Sequence, residues 1–346
     1  AGTAALARGL GSALAELLAG AAANVPGGAA GLRIEGLRRL SGGASQETWA
    51  FVAAVPGLPP RRLALRRSPA GAAQRGQASA GLVAEAALLR LAAAAGVPVP
   101  AVVAELLPAH GLGEGFVTAW LDGETLGRRV AAAARPALAR QCGAALAAIH
   151  ALPVDALPPL RRTQPGAEVA YLRDWHGRHG QPRPVFALAL RWLAEHAPAD
   201  VAPRLVHGDF RNGNLMVDLA HDALVGVLDW ELATLGDPLM DLGNSLAYWV
   251  EAGDDPAWRK LRRQPTHLAG MPTRRQVLSA YQAKTGFGVP SFDYYLAFGL
   301  FRLAVIAQQI YFRFFHGQTK VPEFGSFGQI VTLLERRTSQ AIESHW

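Results

Sequence analysis

Three oxygen-bearing side chains in this 346-residue chain stand where they could act on one reacting group: Asp209, Asn214 and Asp229. The first two lie in HGDFRNGN, residues 207–214, a run rich in glycine, asparagine and charge that reads as a loop. Leu215–Asp218 then reads as a short strand and Leu224–Leu228 as a second, with His221 and Asp222 at the turn between them. A hairpin centred there returns Asp229 to the side of Asn214 at its open end, with Asp209 a few residues upstream. A carboxylate beside an amide and a second carboxylate suits phosphoryl transfer to a hydroxyl. Asn and one Asp offer hard oxygens to Mg²⁺, and the other Asp accepts the proton of the attacking hydroxyl. The bland alternative is a helix-capping Asp, a turn Asn and a strand-end Asp, each common alone. Their coincidence around one hairpin favours the chemistry.

Such a loop needs a partner region that binds a nucleotide, and the chain ahead of it reads as one. Residues 1–24 read as an amphipathic helix with a leucine stripe through Leu6, Leu10, Leu14 and Leu17, ended by Pro26-Gly27-Gly28. Strands follow at Leu32–Leu40 and Thr48–Ala54, joined by a turn containing Ser41, Gly42, Gly43, Ala44 and Ser45. Backbone N–H groups of that turn are candidates to meet a nucleotide phosphate. A simple hairpin turn is the commoner meaning of Gly-Gly. Arg61–Arg67 reads as a third strand that carries Arg66, and Leu82–Ala95 as a helix with Glu85 near its start. Arg66 paired with Glu85 is a phosphate-site candidate; the alternatives are a surface arginine and a solvated glutamate at a helix N-terminus. Ala101–Leu107 and Gly115–Leu121 read as further strands, and Asp122-Gly123-Glu124 as a hinge. Backbone groups at Ala119, Trp120 and Leu121 are expected to meet an adenine edge.

The remainder is mostly helical, with segments at Arg135–His150, Val185–His196, an apolar helix that follows Pro238–Leu242 and ends near Val250, Arg274–Thr285, Tyr294–Phe315 and Phe327–Ser344. His150 reads as a C-terminal cap and Asp241 as a hydrogen-bonding support of the loop. Pro153–Pro184 reads as an excursion in which Tyr171 and Trp175 are candidates to touch substrate. Its His176 and His179 are poor metal ligands without further donors. Arg302 and Arg313 interrupt an aromatic-rich helix and are further substrate candidates, as is Glu231. An acidic loop spans Glu251–Pro256.

Half the residues are hydrophobic and 18% are charged, which excludes a disordered chain, and the length allows two lobes with separate cores. The net charge of +7 comes from scattered arginines; Lys260, Lys284 and Lys320 are the only lysines. With no basic run and no recognition motif, no nucleic-acid partner is expected. Cys142 is the only cysteine, so no intramolecular disulfide forms, and a reducing cytoplasm is the expected setting. No uninterrupted apolar run approaches the ~20 residues that cross a bilayer, so no membrane partner is expected.

HGDFRNGN followed by VLDWE and GDPLMDLG resembles the aminoglycoside phosphotransferase family, the small-molecule relatives of protein kinases. LALRR, GVPVP, LDWELATLGDP and FRLAVIAQQIYFR are similar to a branch that includes the kinase-like half of acyl-CoA dehydrogenase fusion proteins. The resemblance implies an α+β, protein-kinase-like bilobal fold. Residues 1–121 would be an N-terminal nucleotide-binding lobe of antiparallel sheet plus helix, with the leading helix within 1–28. Residues 122–346 would be a mostly helical catalytic and substrate-binding lobe. It further implies ATP and Mg²⁺ as cofactors and a small-molecule hydroxyl as acceptor. Asp209 would be the base, Asn214 and Asp229 the Mg²⁺ ligands, and His207 and Asp241 the support of the loop. Arg211 would help position phosphate. Arg66 stands where the family resemblance expects a lysine, and Trp230-Glu231 stands where a kinase has Phe-Gly after its metal-binding Asp. Apart from the resemblance, Arg173, Arg302 and Arg313 favour a neutral or anionic acceptor such as a hydroxyacyl thioester, and the acidic loop at Glu251–Asp255 argues the other way if it lines the cleft. A kinase-like protein that only binds a nucleotide or acyl ligand is the alternative.

Overall fold

The computed structural model describes residues 2–21, 31–40, 46–68, 80–106, 108–125, 135–179, 183–262, 264–289, 291–319 and 321–343. The chain divides into two compact units. The first comprises Ala1–Asp122 with Ala156–Leu160 and Trp230–Leu232; the second comprises the rest. Two short pieces that the sequence reading put in the second lobe therefore belong to the first.

The first unit opens with α1 (Gly2–Ala21) and continues through β1 (Arg33–Arg39), β2 (Glu47–Ala54), β3 (Arg61–Ser68), α2 (Leu82–Ala94), β4 (Val102–Glu105) and β5 (Glu114–Ala119). The strands form one antiparallel sheet in the order β1-β2-β3-β5-β4. Leu10, Leu14 and Leu17 of α1 pack in one core with Trp49, Phe51, Leu63, Leu65 and Val117. Each fully buried leucine there contributes about 1.5–3 kcal/mol. Side chains alternate across a strand, so the neighbours Arg66 and Arg67 serve opposite faces of β3. Arg67 is buried with Leu63 and Leu65 and donates from Nε to Glu47 Oε2 at 2.9 Å and from Nη1 to Leu112 O at 3.1 Å. Arg66 reaches Glu85 on α2 instead. The N-terminus of α2 begins after Gly81, at a φ of 82°, and its Val83 N–H is capped by Glu114 Oε1 at 3.1 Å.

The second unit begins with β6 (Glu124–Thr125) and the helices α3 (Pro136–His150), α4 (Pro165–His179) and α5 (Pro184–Glu195). It continues with β7 (Arg204–Val206), β8 (Leu215–Asp218), β9 (Ala223–Val227) and β10 (Thr234–Gly236). Five helices close it: α6 (Pro238–Ala247), α7 (Pro256–Arg259), α8 (Arg274–Thr285), α9 (Asp293–Phe315) and α10 (Phe327–Glu343). The expected hairpin is β8–β9, with Leu215 opposite Val227 and Asp222 in the turn at a φ of 48°. β6 pairs with β8, and β10 pairs with β7.

Local chemistry sets the helix ends. Asp237 caps α6 by accepting from Leu239 N, Pro238 occupies the first turn, and α8 carries a Thr273/Gln276 capping box with Gly286 left-handed at its end. Helix α9 is the core of the unit. It is long and apolar enough by composition to cross a membrane, but Tyr294–Phe301 with Ala304 and Val305 are buried, and it packs on α6 and α10. The α6–α9 crossing is close because Gly243 meets Tyr295 O and Gly299 meets Gly243 O, where a Cβ has no room.

Candidate active site

The HGDFRNGN loop is suspended from α6 and α9. Asp241, on the first turns of α6 and fully buried, accepts from His207 N at 2.5 Å and Gly208 N at 2.8 Å. Ser245 Oγ donates to Phe210 O at 2.6 Å, and Arg302 Nη2 of α9 donates to Gly208 O at 2.9 Å. Burial pushes the Asp241 carboxyl up, but the His150 bond, the His150 and His207 rings and the Gly208 N–H outweigh it and leave it below its ordinary value.

His150 departs from the sequence reading. It is no surface cap: fully buried, it sets Nε2 3.1 Å from Asp241 Oδ2 and its other ring nitrogen on the Tyr281 hydroxyl. The end of α3 lies inside the unit, and an imidazole there can bond a carboxylate on one side and a phenol on the other.

His207 locks the loop from within. Its Nε2 meets Leu228 O at 3.1 Å, and its Nδ1 accepts from Asp209 N at 3.2 Å. A carbonyl only accepts, so Nε2 carries the proton and the ring is neutral. Burial lowers the His207 pKa, against the charges of Asp241, Asp209 and Asp229, which raise it.

Asp209 is held on both carboxylate oxygens. Arg211 Nε lies 3.1 Å from each, and Asn214 Nδ2 donates to Oδ2 at 2.7 Å and to Asp209 O at 2.9 Å. The amide nitrogen of Asn214 is thus spent on the loop, and its oxygen is the atom with metal-ligand character. Leu228 N donates to Asn214 O at 2.8 Å, so the open end of the hairpin brings the Asn214 backbone to Leu228, the residue before Asp229. Asp229 has a φ of 63°, a left-handed conformation that costs a residue with a Cβ about 1 kcal/mol or more.

Tyr248 joins this cluster, and sequence reasoning missed it together with His150 and Ser245. Burial raises its pKa; Arg211 pulls it down, Asp209 adds to the rise and Arg302 pulls it down further. Asp241, Ser245 and Tyr248 are spaced by four and three residues, one face of a helix, and that periodicity was the available signal.

In the first unit Arg66 serves two carboxylates. Its Nε lies 3.1 Å from Glu85 Oε2, and its Nη2 lies 3.4 Å from Glu231 Oε2. Glu85 is buried, whereas the Glu231 side chain is 32% exposed. The Glu231 carbonyl also accepts from Ala80 N at 2.7 Å, so the Trp230–Leu232 turn is docked beside α2. Glu231, a substrate candidate from sequence, is an ion-pair partner of Arg66 here.

The other candidates separate. Ser41, Gly42, Gly43, Ala44 and Ser45 lie outside the described residues. The Ala119 and Trp120 amides donate to Ala101 O and Arg62 O, because the strand ladder runs on through Trp120, and so are not open to an adenine edge. Leu121 follows them without regular structure. Tyr171 is exposed on α4 under the Arg161 guanidinium, and Trp175 is on the same helix. Arg313 is exposed near the end of α9. No group of three or more His, Cys, Asp or Glu suited to a metal occurs among the described residues, including His176.

The acidic loop is neutralised internally. Asp254 takes both Arg274 Nη1 and Nη2, at 2.8 and 2.7 Å, and also Arg337 at 3.0 Å. Glu251 pairs with Arg274 and Asp255 with Arg336. A cavity of about 40 Å³ in the second unit is lined by Leu138, Cys142, Trp249, Pro265, Met271 and the loop residue Asn212. Burial pushes the Cys142 thiol up to about 12, so it acts there as apolar lining.

Residues 36–277 match the sequence model of the phosphotransferase enzyme family. Acyl-CoA dehydrogenase family member 10 of Mus musculus is 37% identical over 137 residues, which is 39% of this chain and 13% of that protein. Acyl-CoA dehydrogenase family member 11 of Homo sapiens is 29% identical over 167 residues, 46% of this chain and 21% of that protein. The chain spans only these minor fractions of the two relatives. A candidate aminoglycoside phosphotransferase from Ralstonia eutropha superposes with a TM-score of 0.75 at 20% identity, covering 96% of this chain and 98% of that one. Aminoglycoside phosphotransferase APH(4)-Ia, in complex with AMP-PNP and hygromycin B, superposes at 0.55 with 18% identity, covering 94% and 97%. The fold is thus that of the protein-kinase-like phosphotransferases.

Proposed function

Because the chain belongs to the phosphotransferase enzyme family, we propose that it moves the γ-phosphoryl group of ATP to a hydroxyl of a small molecule. The observation that carries this reading is the suspended Asp209: both its oxygens are oriented by Arg211 and Asn214, on a loop hung from buried Asp241. Asp209 accepts the hydroxyl proton as the oxygen attacks phosphorus, and its fixed orientation removes rotational freedom from that step. Arg211, beside Asp209, offers its remaining N–H groups to the phosphoryl oxygens. Arg66 serves the nucleotide phosphates, and Glu85 keeps its charge in place.

The donor set fits Mg²⁺. Asn214 and Asp229 supply one amide oxygen and one carboxylate, the sparse protein share that this ion takes when phosphates and water complete its shell. Mg²⁺, when bound, neutralises charge on the transferring group. The cytoplasmic setting belongs to the same proposal and rests on the single cysteine, the half-buried Cys142.

A neutral or anionic acceptor is favoured over a polycation, with a hydroxyacyl thioester the leading type. The carboxylates of the acidic loop are taken by Arg274, Arg336 and Arg337, while Arg211 and Arg302 stand at the loop of the base. Mg²⁺-dependent ADP release should be screened over aminoglycosides, sugars, choline-like amines and hydroxyacyl-CoAs. Turnover with hydroxyacyl-CoAs is expected; release with polyamines alone overturns the acceptor class, and nucleotide binding with no release from any acceptor supports a non-catalytic binding role.

A further inference from the structure

Two departures from the protein-kinase pattern occur in the first unit, and they touch. Arg66 replaces the phosphate-binding lysine, and Glu231 replaces the glycine two residues after the metal-binding Asp. We propose that these are one device: Glu231 is a positioning residue that, together with Glu85, holds the Arg66 guanidinium in the orientation that receives nucleotide phosphate. The inference rests on the phosphotransferase reading.

The geometry supports a shared fork. Glu85 and Glu231 both accept from Nη2, at 3.5 and 3.4 Å, and the Glu85 carboxylate also lies 3.1 Å from Nε as an ion pair without hydrogen-bond alignment, so one guanidinium is shared between two carboxylates. A lysine ammonium is a compact charge at the end of a flexible stem and cannot offer a planar edge to both. The two carboxylates also differ in environment. Glu85 is buried in α2 and stays with the arginine, whereas Glu231 is partly exposed. Glu231 is nonetheless fixed in place, because its own carbonyl is tied to Ala80 N, just ahead of α2. The orientation of Arg66 is therefore set by a rigid turn and a rigid helix together. The loss of the lysine is compensated within the chain and is no sign of impairment.

The test is a double-mutant cycle on nucleotide affinity, with Mg²⁺ and AMP-PNP as the probe and titration calorimetry as the readout. Glu231→Gln keeps the shape and removes the charge; Arg66→Lys keeps the charge and removes the fork. Each is expected to weaken AMP-PNP binding about tenfold. The double variant should be within about twofold of Arg66→Lys alone, because the second change removes an interaction already lost. Thermal midpoints of all variants should stay together, which separates positioning from a structural role. Losses that multiply, or Glu231→Gln binding as the unsubstituted protein does, overturn this inference and leave the phosphotransferase reading standing. Absence of AMP-PNP binding by the unsubstituted protein overturns both.

Discussion

The loop around Asp209 and the cluster around Arg66 both depend on buried charge, but they are held in different ways. Asp241 spends its carboxylate on backbone N–H groups of His207 and Gly208, and Ser245 and Arg302 spend their donors on backbone carbonyls of the same loop. Those bonds fix where the chain runs. Arg66, Glu85 and Glu231 bond side chain to side chain, so they fix only how a guanidinium is turned. Backbone-directed bonds resist substitution poorly, because each leaves a buried peptide group unsatisfied. A side-chain triad with one partly exposed member tolerates change in stability and registers it in affinity.

Five variants test that contrast. The largest is catalytic: Asp209→Ala should lower turnover by roughly 10³-fold while AMP-PNP affinity stays unchanged, measured by ADP release and calorimetry. Product formed at an undiminished rate would remove Asp209 from the role of base. Next, Asp241→Asn should cost about 3 kcal/mol in urea denaturation, since one oxygen that took a backbone N–H becomes a second donor. Glu231→Gln should cost no more than about 0.5–1 kcal/mol by the same measurement. Equal costs would erase the difference between the two regions.

A smaller effect appears with pH. The His207 pKa is lowered from 6.5 in the fold, so just below that value the unfolded chain binds more protons and stability falls as pH drops from 7 toward 5. Asp241 is lowered from 3.8, so its share is fully present above that value and is lost only as pH falls below it. His207→Gln should therefore flatten the profile between pH 7 and 5 and leave the steeper acid limb; an unflattened profile would assign the proton to another group. The smallest effect is at the surface. Arg62 pairs with exposed Asp122 and lies 4.8 Å over the Trp120 ring, and Arg62→Ala should shift stability by at most about 1 kcal/mol, screened further by salt.

Much of the fold was legible because its signals are local. The alternation in Arg61–Arg67 and the turn at Asp222 follow from residue types a few positions apart, and so does the pairing that returns Asp229 to Asn214. The engagement of the Ala119 and Trp120 amides is not legible in the same way, because nothing local shows that Trp120 N continues a ladder to Arg62 O. His150 reads as a cap from its local position because its partner Asp241 lies 91 residues away, and no spacing rule spans that distance.

The sequence by itself determined the chemistry available to this protein: an Asp, an Asn and a second Asp around one hairpin, with an arginine where a lysine is expected. Side-chain type and short-range period suffice for that, since both are written along a single element. Only the tertiary structure decided what holds those groups. Asp241 became a backbone anchor because α6 crosses α9 closely at Gly243 and Gly299, and Glu231 became a partner of Arg66 because a short turn packs beside α2. Packing between distant elements sets those contacts, and it depends on the shape of whole faces rather than on any local run of residues.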